Sequence, residues 1–374
     1  MVSRLSKQQS IILGILIGAV IISIILRVLP FFQMDFATFA VHGDPDIWYN
    51  FRQIEAMVSN FPQYNWFDAM TAYPQGKNID WGPLFPLIAS ALCIMTGAVQ
   101  RVDCIAVSSW VPVLFGILMV PVVFFLGRLI AGWKAGIIAA IFIAVVSGEY
   151  FYRTMAGVVD HHCAEIFFTT VFCLFYIYTI RKASEHEVRL KSPSSLKPIL
   201  VPSVIAGVAF AAAMAVMPTT LLFAMIVALY TLIQYTWNAF HGKSTDYLLV
   251  VNGVVSVFAI ASLAIVGVHS PVYSLATYSA APTHAIALLF FGTALLQIFS
   301  MLSREKPWVF VGMTVAGAIG CIAVAALVSP TLVNSGFSTL SSFFGQRFQD
   351  FPIDEQKPWS LVQIWGSYNI GIIL

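Results

Sequence analysis

Charge is what this sequence has least of. Only 10% of its 374 residues are Asp, Glu, Lys or Arg, while 59% are apolar. Soluble domains carry about 25% charged residues, so the composition excludes an ordinary soluble protein. Nineteen basic residues against seventeen acidic ones leave a net charge of +2, and no concentrated basic face predicts nucleic acid as a partner. The composition therefore predicts an all-α polytopic membrane protein in a lipid bilayer.

Cysteine is also scarce. The chain has five cysteines, an odd number, and they are scattered without the paired spacing of a metal site. This pattern excludes a disulfide framework and predicts small apolar packing residues. The residues are Cys93, Cys104, Cys163, Cys173 and Cys321.

Long apolar runs approach the ~20 residues that a membrane-spanning helix needs. The first follows a short basic start, and no small-residue cleavage site comes after it, so we interpret residues 11–30 as an uncleaved first span. Further spans are predicted at residues 106–126, 135–148, 166–180, 199–217, 219–237, 247–268, 285–302 and 308–328, with an apolar end from Trp359. The sequence thus predicts about ten crossings.

The distribution of basic residues predicts the orientation. With a cytoplasmic N-terminus, the cytoplasmic segments hold twelve of the nineteen basic residues and four of the seventeen acids, as the positive-inside rule requires. Residues 84–99 are apolar but short and contain Pro86, so we expect an interfacial or re-entrant helix within a large first external loop, 31–105. If 84–99 crossed the membrane instead, the basic segment 181–197 would lie outside, against the rule.

Three acidic motifs fall on the predicted outer side, each beside an apolar segment: Asp44-Pro45-Asp46, Asp160-His161-His162 and Asp354-Glu355. Each also has an ordinary structural interpretation. The first motif could form a turn and cap a helix, Asp160 could cap the next helix beside two histidines at a wet interface, and Glu355 could be a loop acid. Ionisable groups near the hydrocarbon edge are nevertheless costly and often functional.

The shared side favours a joint function. Carboxylates and an imidazole from separate loops are suitable ligands for a hard divalent cation, Mn²⁺ or Mg²⁺. In an extended segment Asp160 and His162 would point to one face and His161 elsewhere.

Several motifs resemble those of oligosaccharyltransferase catalytic subunits of the archaeal AglB type, which are related to PglB. Residues 46–55 (DIWYNFRQIE), with 60–62 (NFP) and 73–76 (YPQG), resemble the family's first external loop. Residues 127–140 followed by Arg153, Gly157 and 160–165 (DHHCAE) resemble its second acidic motif, and Glu355 is similar to the glutamate of its fifth external loop.

The resemblance implies a GT-C type transmembrane catalytic domain over residues 1–374, with external loops at 31–105, 149–165 and 329–358. It implies inverting, metal-dependent transfer of an oligosaccharide from a polyprenyl (dolichyl) phosphate or diphosphate carrier to Asn in Asn-X-Ser/Thr. The active site would face outward from a prokaryotic, archaeal-type cell membrane. The implied metal ligands are Asp46, Asp160 and His162.

The resemblance also assigns supporting roles. Asp46 and Glu355 are the expected catalytic residues, with Glu355 completing the shell of the metal or touching the acceptor. Asp44 and His161 are expected beside the ligands. Because Pro45 precedes Asp46 rather than following it, Asp44 remains an alternative ligand, although the distance to Arg52 favours Asp46.

Other features leave alternatives open. Arg52 and Arg153 could contact donor phosphates or pair with nearby acids.

Family members continue with further spans and a soluble sequon-binding domain, so we expect this chain to be their N-terminal part, with that domain absent. Another GT-C glycosyltransferase using lipid-phosphate sugars, or a transporter, remains as an alternative function.

Overall fold

The structure is a computed structural model that describes residues 6–35, 45–186, 188–303, 306–328, 333–334 and 360–368. Helices dominate these residues. Among them a single short antiparallel ladder occurs, in which Phe67–Asp68 (β1) pairs with Lys77–Asn78 (β2). The predicted all-α polytopic membrane fold is confirmed.

The described residues form thirteen helices in chain order. They are α1 (Lys7–Val28), α2 (Pro45–Ser59), α3 (Leu84–Met95), α4 (Arg101–Ser108), α5 (Trp110–Val145), α6 (Glu149–Tyr152), α7 (His162–His186), α8 (Pro193–Val216), α9 (Leu221–His241), α10 (Asp246–Val266), α11 (Ala280–Leu302), α12 (Pro307–Val328) and α13 (Leu361–Tyr368). Two 3₁₀ turns, Leu29–Gln33 and Pro218–Thr220, extend α1 and precede α9.

Within the described residues, eight helical segments are long and apolar enough to cross a membrane. One of them contains two of the predicted spans, because α5 is interrupted at Ala131 and at Gly132, which has φ +86°. A Cβ on Gly127 would lie 3.1 Å from Cα of Gly136. In a straight helix residues nine apart are about 13.5 Å apart along the axis, so the two halves of α5 fold back on each other.

Two further predictions concern the short apolar segment 84–99 and the apolar end of the chain. Helix α3 has 12 residues and is shorter than a span, and its interfacial or re-entrant position stays a prediction. Of the apolar end from Trp359, the structure describes only α13 and Ser360 before it.

The main membrane bundle packs α7 to α11 around buried apolar residues such as Phe172, Phe210 and Val255. A polar cluster crosses this core. The Tyr176 hydroxyl donates to Oδ1 of Asn252 (2.9 Å), whose Nδ2 donates to the hydroxyls of Thr231 (2.8 Å) and Thr293 (3.1 Å). Hydrogen bonds between apolar spans join α7, α9, α10 and α11 where packing alone is not directional.

A second apolar cluster supports the segments that carry the acidic motifs. Ile47, Phe51 and Ile54 recur along one face of α2 and are fully buried against α3, α4, α5 and residues 158–164. The cysteines of this cluster are free thiols, with Sγ of Cys93 and Cys104 3.3 Å apart. This core therefore joins α2, α3 and α4 to the start of α7.

Candidate metal and substrate site

Helix α2 begins at the candidate site. Asp46 is half-buried in its first turn. One turn later, Nδ2 of Asn50 donates to the Asp46 carbonyl (2.9 Å) and lies 3.4 Å from Nδ1 of His161. The apolar face of α2 is anchored in the core, so its polar first turn is directed toward the start of α7.

Asp160 lies immediately before α7, and its side chain is fully buried. Oδ1 accepts from the backbone N–H of His162 (3.3 Å) and lies 3.2 Å from Nδ1 of His161, while Oδ2 is paired with the Arg153 guanidinium. Burial by itself raises the pKa of this carboxyl. The hydrogen bond from His161 and the positive charges of His161, His162 and Arg153 outweigh burial and hold the pKa well below 3.8.

Asp160 therefore caps α7 and also serves as an ionised acceptor for several donors. The ordinary structural interpretation and the functional one both fit its geometry. A carboxylate held charged in a buried place is a suitable cation ligand.

The two histidines differ in their surroundings. His161 is nearly buried against Asp160, so the expectation that it points away from Asp160 is wrong. The chain turns into α7 at this point, and the alternation of an extended strand does not apply. His162 is a third exposed, and its Nδ1 lies 2.8 Å from Oε2 of Glu165, one helical turn later.

An aromatic wall closes one side of the site. The Trp81 ring stacks on His161 with centroids 5.2 Å apart, and Tyr49 meets Trp81 edge-on at 4.9 Å. The Tyr64 hydroxyl donates to the Trp81 carbonyl (3.2 Å). Gly82 N–H donates to the Val216 carbonyl (2.8 Å), which attaches this part of the loop to the end of α8.

A buried arginine fixes the segment that leads to Asp160. Arg27, at the end of α1, donates to the carbonyls of Ile143 (3.0 Å) and Ala144 (2.9 Å) in the last turn of α5 and to Oγ1 of Thr154 (2.9 Å). Its own carbonyl accepts from Ala156 N–H (2.9 Å). The free carbonyls at a helix C-terminus carry partial negative charge, which favours a cation there.

The residues of the site fit a divalent metal ion. Each of Asp160, His161 and His162 offers a ligand atom within 4.8 Å of the others. Nε2 of His161 is buried and has no hydrogen-bond partner among the described residues. A carboxylate with imidazoles suits Mn²⁺ and Zn²⁺, and a buried nitrogen lone pair without a donor is best satisfied by a cation.

The predicted site residues have different outcomes. Asp160 and His162 lie together at the start of α7, in a cluster of ligand atoms whose third member is His161. Asp46 lies in the first turn of α2, and Asn50 connects its carbonyl to His161. Asp44 and Glu355 lie outside the described residues.

The two arginines have carboxylate partners. Nη2 of Arg52 lies 2.8 Å from Oδ1 of Asp68, and Arg153 contacts Asp160 and Glu149. The predicted pairing with nearby acids is therefore present, and contact of the two arginines with donor phosphates stays a prediction. Asp68 in turn accepts from Met70 N–H (2.9 Å) and the Thr71 hydroxyl (3.0 Å).

Sequence reasoning missed Asn50, Trp81 and Glu165. Glu165 follows His162 by three residues at the start of a helix, a spacing that places both side chains on one face and could have indicated the contact. Trp81 is 80 residues from His161, and no local pattern indicates that pair.

The comparisons with known proteins agree with this architecture. A family described as "Oligosaccharyl transferase STT3, N-terminal" matches residues 16–368. Dolichyl-phosphooligosaccharide-protein glycotransferase 3 of Archaeoglobus fulgidus is 35% identical over 155 residues, which are 41% of this chain and 18% of that protein.

Solved structures of an oligosaccharyltransferase from Archaeoglobus fulgidus share the fold. AglB in complex with an inhibitory peptide and a dolichol-phosphate superimposes with a TM-score of 0.80 at 20% identity, over 96% of this chain and 43% of that one. A complex with Zn and sulfate gives a TM-score of 0.69 at 22% identity, over 84% and 39%. The chain thus spans less than half the length of these proteins.

Proposed function

Because the chain belongs to the oligosaccharyl transferase STT3 family, we propose that it forms the membrane part of an N-glycosylating glycosyltransferase. The donor is an oligosaccharide on a polyprenyl (dolichyl) phosphate or diphosphate, and the acceptor is Asn in Asn-X-Ser/Thr. The observation that carries this proposal is the family match over residues 16–368 together with the Asp160-His161-His162 cluster at the start of α7. The relatives' names point to the same donor and reaction.

We place a divalent cation, Mn²⁺ or Mg²⁺, on Asp46, Asp160 and His162. The low pKa of Asp160 keeps this carboxylate ionised, and Glu165 orients His162. Once bound, such an ion supplies a Lewis acid that neutralises negative charge on the donor phosphate. His161, with its buried unpaired Nε2, lies beside these ligands.

The chain's own residues prepare the acceptor. An amide nitrogen is a poor nucleophile because its lone pair is delocalised into the carbonyl group. We assign hydrogen bonds from the acceptor amide to Asp46 and Glu355, which orient and twist it. The nitrogen then attacks the anomeric carbon, the carbon–oxygen bond to phosphate breaks, and the proton lost by the nitrogen passes to the departing phosphate. A single displacement inverts the configuration at that carbon.

The outer membrane boundary suits this chemistry. The carrier's isoprenoid tail is soluble only in lipid, whereas the sugar and the acceptor polypeptide are polar. A site at the ends of spans, beside the interfacial α3, lets both substrates meet without transferring polar groups into hydrocarbon. We therefore place the site on the external face of an archaeal-type cell membrane.

The direct test uses the protein expressed from its own gene. Membranes are incubated with lipid-linked oligosaccharide and a fluorescent Asn-X-Thr peptide, with Mn²⁺ or with a chelator, and glycopeptide is separated by gel. We expect Mn²⁺-dependent transfer that Asp46→Asn abolishes. The matched control is Asp80→Asn, which removes a carboxylate of the same loop that pairs with Lys77 at the surface. Wild-type turnover by Asp46→Asn, or transfer unaffected by the chelator, would contradict the assignment.

A further inference from the structure

A cavity lined by basic residues lies at the opposite end of α7 from the Asp160-His161-His162 cluster. Helix α7 has 25 residues and is about 37 Å long, more than the ~30 Å of a hydrocarbon core. Near its last turns, α7 and the first half of α5 border an open cavity of about 440 Å³. The two sites therefore belong to opposite membrane surfaces.

The polar end of the cavity carries three cations, Arg128, Arg181 and Lys182, and one acid, Glu185. Glu185 forms ion pairs with two of these cations. Its Oε2 lies 3.2 Å from Nζ of Lys182, and its Oε1 lies 3.8 Å from Nε of Arg181. Arg128 is exposed, and the ion pairs shown by the described residues include none for it. The cavity thus has a net positive charge that its own acid does not neutralise.

Arg181 is held in place by the break in α5. Its Nη1 donates to the Leu129 carbonyl (2.6 Å). That carbonyl lies in the last turn before Ala131 and Gly132, where the helix is interrupted and the regular amide donor is lost. The guanidinium is therefore oriented at the cavity before any ligand binds.

The rest of the wall is apolar and continues into the membrane spans. Phe125, Leu129, Leu174 and Tyr178 line it, and Phe125 and Tyr178 are 48% and 39% exposed. On a membrane-spanning helix such exposed apolar side chains face acyl chains. The positive-inside bias alone accounts for the cations, but it does not produce a concave cavity with one charged end and one apolar end.

We propose that this cavity binds an anionic phospholipid. Its phosphate lies between Arg128 and Lys182, with Arg181 beside it, and its acyl chains lie along Phe125 and Leu174. The charge of the cavity selects an anionic headgroup, and the apolar wall selects a lipid over a free phosphate.

Detergent-solubilised protein is titrated with phosphatidylglycerol or phosphatidylcholine of identical acyl chains, or with inorganic phosphate, and the unfolding temperature is recorded. We expect stabilisation by phosphatidylglycerol alone. Arg128→Gln should raise the half-saturating lipid concentration roughly fivefold, since a basic residue at the surface contributes about that factor. Glu185→Gln should lower it, because it releases Lys182 and Arg181 for the headgroup.

The matched control is Lys197→Gln, an exposed cation outside the cavity wall, which should leave the titration unchanged. The opposite signs expected for Arg128→Gln and Glu185→Gln separate binding from a general loss of stability. Equal stabilisation by phosphatidylcholine or inorganic phosphate, equal effects of Arg128→Gln and Lys197→Gln, or weaker binding by Glu185→Gln would overturn the proposal.

Discussion

At the scale of residues, each histidine of the cluster has a carboxylate at Nδ1. Asp160 lies 3.2 Å from Nδ1 of His161, and Glu165 lies 2.8 Å from Nδ1 of His162. A carboxylate at Nδ1 keeps the proton on that nitrogen and leaves the lone pair on Nε2. In both imidazoles Nε2 is therefore the nitrogen that can contact a cation.

Glu165 should therefore control metal affinity through His162. Loss of such an outer partner typically weakens metal binding by about 10- to 100-fold. We expect this loss in Glu165→Ala and a smaller one in Glu165→Gln, whose amide oxygen still accepts from Nδ1–H. Calorimetric titration with Mn²⁺ measures it, with Asp80→Asn as the control. Unchanged affinity in Glu165→Ala would show that the contact has no such role.

Asp68 attaches the loop between α2 and α3 to Arg52 through contacts that depend on its negative charge. Burial raises the pKa of its carboxyl, but bonds from Met70 N–H and Thr71 and the charge of Arg52 together lower it below 3.8. A carboxyl whose pKa is lowered in the folded state stabilises the fold above about pH 4. This stabilisation is lost as the pH falls through the folded-state pKa. The unfolding-temperature difference between wild type and Asp68→Asn should therefore be present near pH 7 and shrink below about pH 4. A difference that stays constant with pH would contradict this account.

At the scale of elements, the joint of α1 with α5 positions Asp160. Gly116 of α5 lies against Arg27, and a Cβ there would be 2.5 Å from Nε of Arg27 and 2.9 Å from Cβ of Thr154. Thr154 begins the segment that leads to Asp160. The small residue in α5 thus provides the space in which the buried guanidinium reaches its acceptors.

Gly116→Ala should lower stability by about 1–3 kcal/mol, the usual cost of overpacking a closely packed interior. Gly18→Ala in α1 is the matched control, since a Cβ there meets nothing within 4 Å. Thermal unfolding in the same detergent compares the two variants. An unchanged unfolding temperature in Gly116→Ala would contradict this prediction, because it would mean that Arg27 and Thr154 can move aside for the added methyl group.

The elements also show why some features follow from sequence and others do not. Apolar runs and basic loops predicted the spans, because lipid enforces their length and composition. The antiparallel halves of α5 were predicted as two spans, and Gly132 allows the reversal between them. The stack of Trp81 on His161 and the pairing of Arg52 with Asp68 depend on how the loop folds over α7, which no local period records.

At the scale of the whole molecule, acidic and basic residues are predicted to lie on opposite sides of the membrane. The predicted outer segments hold thirteen acids and the predicted cytoplasmic segments twelve basic residues, so the net charge of +2 conceals two charged surfaces. The candidate catalytic site and the proposed lipid cavity lie at the two ends of α7. The two proposals thus put the polar substrates at one end of α7 and the anionic lipid at the other.

Cysteine labelling in intact cells checks this orientation. In a Cys321→Ala background, which removes the exposed native thiol, a membrane-impermeant maleimide should label Asp80→Cys and not Lys191→Cys. Permeabilised cells, in which both positions should react, provide the control. Labelling of Lys191→Cys in intact cells would reverse the map and place the acidic cluster inside.

The central claim is that the start of α2 and the start of α7 together hold a divalent cation. Calorimetric titration of the purified protein with Mn²⁺ tests it most directly, in wild type, Asp46→Asn, His162→Ala and the control Asp80→Asn. The account predicts one bound ion in wild type and Asp80→Asn, and binding weakened at least tenfold in the other two. Equal affinity in all four proteins, or no binding to wild type, would contradict it.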